Sequence, residues 1–334
     1  MTKNFFHKIN DLNKHHYKNS PSYKKIVDIL FHEKKFQSLN DIPYLPVNLF
    51  KHNDLKSIKD RDVFKILKSS GTTTGIPSRI FLDKKNAKKQ SEVLNLLLGR
   101  LIGKKRFPMI IVGNKSNIID KRSFDAKTAA VLGFSLFAKE IFYLNESNEI
   151  NYEGLNRFIK KNANERFILF GFTFDIYQIL INDFKLKNLK YHLNSNSIII
   201  HGGGWKKLEN KKISKKKLNF LLSSKFKIKN IINYYGLIEQ TGSIFFDCKI
   251  CGSFVTSEYS DIIIRDNNFN ILKSNQKGFV QLLSSLPTSY PGHSILTEDI
   301  GEIVENNCKC KKIGKRFLIH GRTIKSEVRG CSDV

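Results

Sequence analysis

The segment Ser69-Ser70-Gly71-Thr72-Thr73-Thr74-Gly75-Ile76-Pro77-Ser78-Arg79 holds an unbroken run of Ser, Gly and Thr from Ser69 to Gly75. Such a run is a poor helix or strand and cannot be a core segment. It makes sense as a loop around a polyanion: glycines let backbone N–H groups approach phosphate oxygens, and hydroxyls add donors. It is not a P-loop of the G-x-x-x-x-G-K-[ST] kind, because no Lys follows the second Gly. The alternative reading is a Ser/Thr-rich turn.

The five cysteines divide into two close pairs and a single residue. Cys248-Lys-Ile-Cys251 and Cys308-Lys-Cys310 resemble the two knuckles of a tetrahedral Zn²⁺ site, in which thiolates bind at about 2.3 Å. The second spacing is tighter than C-x₂-C, and free thiols or redox pairs are the alternatives. A disulfide fits less well, since a cytoplasmic chain keeps its thiols reduced. Zinc here would staple a subdomain without implying catalysis. Cys331 stands alone in a polar tail, and Arg329 two positions earlier favours its thiolate. It is either a nucleophile or a bystander. His201, just before three glycines, reads as a strand-end residue, not a base.

These residues need elements to hold them. The first sixty residues look mainly helical, with Ile26, Ile29, Leu30 and Phe36 as the apolar set, until Pro43 and Pro46 break the pattern. Residues 86–102 read as a helix with Val93, Leu94, Leu97, Leu98 and Leu101 on one face. Short apolar runs at 109–112, 167–170, 198–200 and 231–232 suit buried strands, with helices at 126–132 and from 173 through 181. That alternation predicts an α/β architecture, whose ligands sit where strands end. From Ser257 onward, alternating runs at 261–265, 278–283, 301–304 and 317–320 predict a compact antiparallel β subdomain. The division expected is a helical segment 1–60, an α/β core 61–250, a β-rich subdomain 251–320 and a tail 321–334. Phe134 and the stripe Phe170-Gly-Phe-Thr-Phe174 are either the lining of a ligand pocket or plain core.

A chain of 334 residues can bury one large core or two ordinary domains. No window approaches eighteen uncharged apolar residues, so no membrane span is expected. No signal-peptide pattern opens the chain, and a cytoplasmic enzyme is the default. The formal charge of +27 raises a nucleic-acid partner. The lysines, however, are spread along the whole chain, with patches at 211–217 and 225–229, and no RNA-binding signature accompanies them. No nucleic-acid partner is therefore expected.

Four segments recur in a telling order: the Ser/Thr/Gly loop, Gly202-Gly203-Gly204, Tyr235-Gly236-Leu-Ile-Glu239-Gln-Thr241, and Thr297-Glu-Asp299 followed by Gly321-Arg322. This order resembles the adenylate-forming superfamily. The longer strings Gly202-Gly-Gly-Trp-Lys206, Leu286-Pro-Thr-Ser-Tyr-Pro-Gly-His-Ser-Ile-Leu-Thr-Glu-Asp-Ile-Gly301 and Glu327-Val-Arg-Gly-Cys331 are similar to the acyl-protein synthetase family, with phenylacetate-CoA ligases as more distant cousins. The resemblance implies an adenylate-forming large-domain fold with a β-rich C-terminal subdomain. It implies that ATP and Mg²⁺ are used to turn a carboxylic acid into acyl-AMP and pyrophosphate. On this resemblance Ser70, Gly71, Thr72, Thr73, Thr74 and Gly75 wrap the β- and γ-phosphates. Gly202, Gly203 and Gly204 form a wall beside adenine, and Tyr235, followed by Gly236, borders the base. Glu239 holds Mg²⁺, Asp299 accepts from the ribose hydroxyls, and Arg322 contacts ribose or phosphate. Cys331 is the implied acceptor of the acyl group, which an acyl-CoA reductase-like or acyl-carrier protein partner then receives.

Two departures from the superfamily stand out. The loop carries an extra Thr, and Ser78 replaces the Lys usual after Pro, so that Arg79 or a nearby Lys must supply the charge. The chain also stops soon after Gly321-Arg322, where acyl-CoA ligases continue into a mobile domain with a catalytic Lys. The expectation is a fold lacking that domain, in keeping with the short acyl-protein synthetases. The competing readings are an acyl-CoA or acyl-carrier ligase of the phenylacetate-CoA ligase type, and a basic zinc-binding protein for nucleic acid.

Overall fold

The computed structural model describes residues 2–31, 36–69, 76–114, 126–146, 149–186, 191–205, 212–305, 308–310 and 312–322. The expected phosphate-loop residues Ser70 to Gly75, and Cys331, lie outside the described residues. The helices in chain order are α1 Thr2–Asn19, α2 Pro21–Leu30, α3 Leu49–His52, α4 Lys84–Ile102, α5 Ala126–Ser135, α6 Tyr152–Lys161, α7 over 173–186 and α8 Lys215–Phe226. The first strands are β1 Leu45–Pro46, β2 Lys65–Lys68, β3 Arg79–Leu82, β4 Phe107–Asn114, β5 Ala138–Glu146, β6 Glu149–Ile150, β7 Ile168–Phe172, β8 Ile198–Gly202 and β9 Asn230–Tyr235. They are followed by β10 Phe245–Asp247, β11 Phe254–Val255, β12 Ser260–Arg265, β13 Gly278–Ser284, β14 Ser294–Val304 and β15 Arg316–Arg322. None of the described helices is long and apolar enough to cross a membrane.

Contacts divide the described chain into two compact units, one of residues 2–94 with 236–322 and the other of residues 95–235. The boundaries drawn from sequence at 60, 250 and 320 followed changes in composition, and differ from this contact division.

In the 95–235 unit, β9, β8, β7, β4 and β5 pair in that order, all parallel. β6 closes the edge antiparallel to β5. The strands are rich in β-branched Ile and buried along their whole length, as in Ile198–Gly202. That pattern suits a parallel sheet covered on both faces. On one face Leu155 and Phe158 of α6, Ile176, Ile179 and Phe184 of α7, and Leu218, Leu222 and Phe226 of α8 pack on Ile110, Leu169, Ile199 and Ile231. On the other face Phe134 of α5 stacks on Phe170 at 4.2 Å. Phe134, Phe170 and Phe172 are fully buried against one another and against Tyr234, so this aromatic stripe is packed core. Helix starts are set locally: the Asn151 side chain accepts from Gly154 N at 2.8 Å, and Ser214 accepts from Lys217 N.

In the other unit, β12, β13, β14, β15, β11 and β10 pair in that order, every neighbour antiparallel. β1 adds to β14 in parallel, and β2 and β3 form a separate hairpin. Phe5 and Ile9 of α1 pack on Ile263 and Leu283. The apolar set expected for α2 was offset by one position. Tyr23 and Val27 are buried, whereas Ile29 and Leu30 are exposed. On that buried face the Tyr23 hydroxyl donates to Asn13 Oδ1 at 2.7 Å.

Candidate active site

In the 2–94 and 236–322 unit, Glu239 sits on the 3₁₀ turn Ile238–Gln240. The turn is pinned from several sides. Gln240 Nε2 donates to the carbonyls of Leu282 and Gly292 at 3.0 and 2.8 Å. Thr241 Oγ1 donates back to Ile238 O at 2.7 Å. Gly242, at φ +90°, runs so close to Gln90 that a Cβ would lie 2.9 Å from its carbonyl oxygen. A rigid backbone therefore presents a buried carboxylate.

Asp299 and Arg322 face each other across β14 and β15 as registered partners. Arg322 Nε donates to Asp299 Oδ1 at 3.1 Å. A bulge follows directly at Ile300 and Gly301, and Asp299 N is held by Thr297 Oγ1 at 3.1 Å. The sequence pointed to a strand starting at Gly301. β14 instead begins at Ser294, and Asp299 lies well inside it.

Glu239 interacts electrostatically with Ser78, Arg322 and Asp299. Burial pushes the Glu239 carboxyl above the ordinary carboxylate range. The Ser78 hydroxyl, the residue's own backbone and Arg322 oppose that shift, and Asp299 adds to it. Ser78 Oγ leans toward this carboxylate yet completes no well-formed hydrogen bond among the described residues. The arrangement is a buried acidic site with one guanidinium beside it, which suits a divalent cation or a phosphate–metal complex.

Behind the site lies the string from Leu286 to His293. Asn86 holds it, donating to Leu286 O at 2.8 Å and accepting from Thr288 N, Ser289 N and Ser289 Oγ. His293 is buried, stacks on His16 at 5.0 Å and meets the Tyr23 hydroxyl at 3.3 Å. The string is thus tied to α1, α2 and α4, a role the sequence alone did not disclose. Asn86 and His16 are ordinary polar residues in helices and carried no motif.

In the 95–235 unit, β8 ends at His201-Gly202. A Cβ at Gly202 would lie 2.6 Å from the Tyr234 ring and carbonyl, and one at Gly203, at φ +80°, 2.7 Å from the Phe172 ring. The glycines are required by close packing and by the left-handed backbone, and no described residue comes within 4 Å of a Cβ at Gly204. Thr173 Oγ1 donates to Gly202 O at 3.0 Å and meets His201 Nδ1 at 2.9 Å. His201 is buried and its pKa is lowered to about 3, chiefly by burial and then by Lys215. A neutral strand-end imidazole matches the expectation. Tyr235 is half-buried at the end of β9, and Gly236 opens the other unit.

The cysteine pairs also converge. Cys248, Cys251 and Cys308 have sulfurs all within 4.8 Å of one another. Cys310 interacts with Cys248 and Cys308 and accepts from Arg316.

This fold is found among adenylate-forming enzymes. 2-Hydroxyisobutyryl-CoA ligase, solved with 2-HIB-AMP and CoA, superposes with a TM-score of 0.71 at 11% identity, covering 96% of this chain and 74% of that one. The luciferase-like enzyme of the mealworm Zophobas morio gives 0.51 at 17% identity, over 79% of this chain and 59% of that one. Sequence takes the assignment further. The profile described as acyl-protein synthetase, LuxE, matches residues 2–334, and the chain belongs to that family. Among its relatives is the long-chain-fatty-acid--luciferin-component ligase of Vibrio harveyi, 25% identical over 339 residues, covering 95% of this chain and 83% of the relative. The ligase of the same name from Aliivibrio fischeri is 24% identical over 304 residues, covering 87% and 76%. The chain is a ligase of the acyl-protein synthetase family, built on a fold that adenylate-forming enzymes share.

Proposed function

We propose that this ligase activates a long-chain carboxylic acid and stores it as a thioester on its own Cys331. A carboxylate oxygen of the acid attacks the α-phosphorus of ATP, forming the acyl-phosphate bond and expelling pyrophosphate. The Cys331 thiolate then attacks the acyl carbon. A thioester forms, the acyl–phosphate bond breaks, and AMP leaves with the electron pair. A reductase or acyl carrier would receive the acyl group. The fatty-acid preference rests on the names of the two relatives.

Each role follows from chemistry. Ser70 to Gly75 would cradle the β- and γ-phosphates, with Ser78 and Arg79 at the end of that loop. Gly202, Gly203 and Gly204 would let adenine approach the backbone closely, and Tyr235 would border the base. Asp299 would accept from the ribose hydroxyls while Arg322 holds its rotamer and faces the phosphate. Glu239 would hold Mg²⁺, which fits a hard carboxylate whose burial beside Asp299 calls for a compensating cation. The metal would supply charge neutralisation at the polyphosphate. Positioning and charge neutralisation are then the main sources of rate. A reducing, cytoplasmic setting belongs to this proposal, in keeping with Cys248, Cys251, Cys308 and Cys310 being unbridged by disulfides.

The observation that carries the reading is the meeting of Glu239, Asp299 and Arg322 in a chain of this family. The test is ATP–pyrophosphate exchange with saturated acids of increasing length. Exchange that requires a long-chain acid and Mg²⁺, and that falls at least about tenfold in Asp299→Asn, is expected. Exchange untouched by Asp299→Asn would remove the ribose assignment, and exchange with no acid in the series would remove the proposal.

A further inference from the structure

Arg316 is the largest fully buried side chain among the described residues. Its Nη1 donates to Cys251 Sγ at 3.2 Å and Ser253 Oγ at 3.4 Å, and its Nη2 donates to Cys310 Sγ at 2.6 Å. A guanidinium stays protonated in a protein, and a buried one is unfavourable unless an anion faces it. Here sulfurs face it. Thiolates would balance the charge, yet several thiolates within 4.8 Å of each other repel strongly. A divalent soft cation between them resolves both demands.

The geometry agrees with this. Four sulfurs at about 2.3 Å from a tetrahedral Zn²⁺ lie about 3.8 Å apart along each edge. Cys248 Sγ and Cys308 Sγ are 3.7 Å apart. Local backbone shapes the first knuckle: Cys248 N donates to Ser253 O at 2.8 Å and Gly252 N to Cys248 O at 2.7 Å. The first pair lies between β10 and β11, the second between β14 and β15.

We infer that Cys248, Cys251, Cys308 and Cys310 form a structural Zn²⁺ site whose net negative charge is offset by the buried Arg316. Binding displaces the thiol protons to solvent and forms four Zn–S bonds, with no redox change. Four thiolates and one Zn²⁺ leave two negative charges, and Arg316 cancels one of them. The second coordination layer is therefore a cation at the start of β15, where simple knuckles rely on backbone N–H groups. The site cross-links two connections 60 residues apart, and this inference stands independently of the acyl-activation proposal.

The test uses the full chain, purified without added chelator. Elemental analysis should find one zinc per chain. Replacement with Co²⁺ should give the intense visible bands of tetrahedral thiolate coordination, and Cys308→Ser should lose the metal. Arg316→Met keeps all four thiols and should weaken zinc about 10- to 100-fold against a competing chromophoric chelator, with Arg316→Lys intermediate. If a variant fails to fold, chelator competition and thiol alkylation on the wild-type protein decide the matter alone: zinc must protect four thiols from the alkylating reagent. A wild-type protein that takes up neither Zn²⁺ nor Co²⁺ overturns the site. An Arg316→Met protein that holds zinc as tightly as wild type overturns the role of the arginine.

Discussion

In residues 95–235, five parallel strands bury runs such as Ile198-Ile199-Ile200, and Asn145 and His201 are the polar side chains those strands bury among the described residues. In the other unit, β12 to β15 bury Asp261, Arg265, Gln281, Ser284, Ser294, Thr297, Asp299 and Arg316. The polar groups there largely partner each other. Arg265 Nε donates to Gln281 Oε1 at 2.6 Å, Gln281 Nε2 donates to Ser294 Oγ at 2.9 Å, and Ser243 Oγ meets Ser284 Oγ. A sheet covered by helices on both faces is stabilised by apolar area and tolerates little else. An antiparallel unit that carries a charged site needs a network that fixes each side chain, because an unpartnered buried polar group is unfavourable. Apolar packing holds both units, and the second adds a network of paired polar groups.

The largest test of that contrast is Phe170→Ala, which removes a ring stacked on Phe134 and Tyr234. It should destabilise the protein by about 3–5 kcal/mol in urea titration. A loss below about 1 kcal/mol would mean the parallel unit is loosely packed there. Next comes Glu239→Gln. Acyl-adenylate formation should fall about 100- to 1000-fold, while the melting temperature of the ligand-free protein rises, because a buried carboxylate beside Asp299 is replaced by a neutral amide. A variant both active and unstabilised would contradict the placement of chemistry in the polar unit. Gln281→Leu strips the partner from Arg265 Nε and should lower stability by about 2 kcal/mol, measured the same way. A neutral result would show that the network adds little.

Acid probes both units at once, through His201 in one and His293 in the other. Burial lowers each pKa to about 3, against the 6.5 of an unfolded histidine. Below 6.5 the unfolded chain binds more protons, so stability present above that pH is lost as pH falls toward 3. By pH 5.5 each histidine should account for about 1.4 kcal/mol. Urea midpoints measured from pH 7.5 to 5 should slope accordingly, and His201→Gln should flatten that slope by less than half, because burial also lowers the pKa of His16 beside His293. The smallest effect is expected at the exposed pair Lys139–Glu165, 2.7 Å apart. Lys139→Ala should leave the melting temperature unchanged within error.

Much of this was legible before any coordinates. Ile198 to Ile200 and Met109 to Val112 announced buried strands because a parallel sheet writes itself as continuous apolar runs. The C-terminal strands announced themselves by alternation. The order of the motifs singled out Glu239, Asp299 and Arg322, which the structure brings together. What stayed hidden depends on long-range geometry. The buried face of α2 carries Tyr23, whose hydroxyl meets Asn13 on another helix, a partner that sequence spacing does not disclose. Asn86 grips a loop about 200 residues away, and Arg316 is distinguished from other basic residues only by the sulfurs around it. In a chain with 57 Lys and Arg, spacing alone could not single it out.

In the proposed reaction the chain charges itself with the acid it activates. Intact-protein mass spectrometry after incubation with ATP, Mg²⁺ and long-chain fatty acids tests it most directly, with Cys331→Ser run in parallel. The account predicts a hydroxylamine-labile acyl mass on the wild-type protein that is missing from the variant, while both still release pyrophosphate. An adduct that persists in Cys331→Ser, or wild-type protein that releases pyrophosphate and never carries an acyl group, would contradict it.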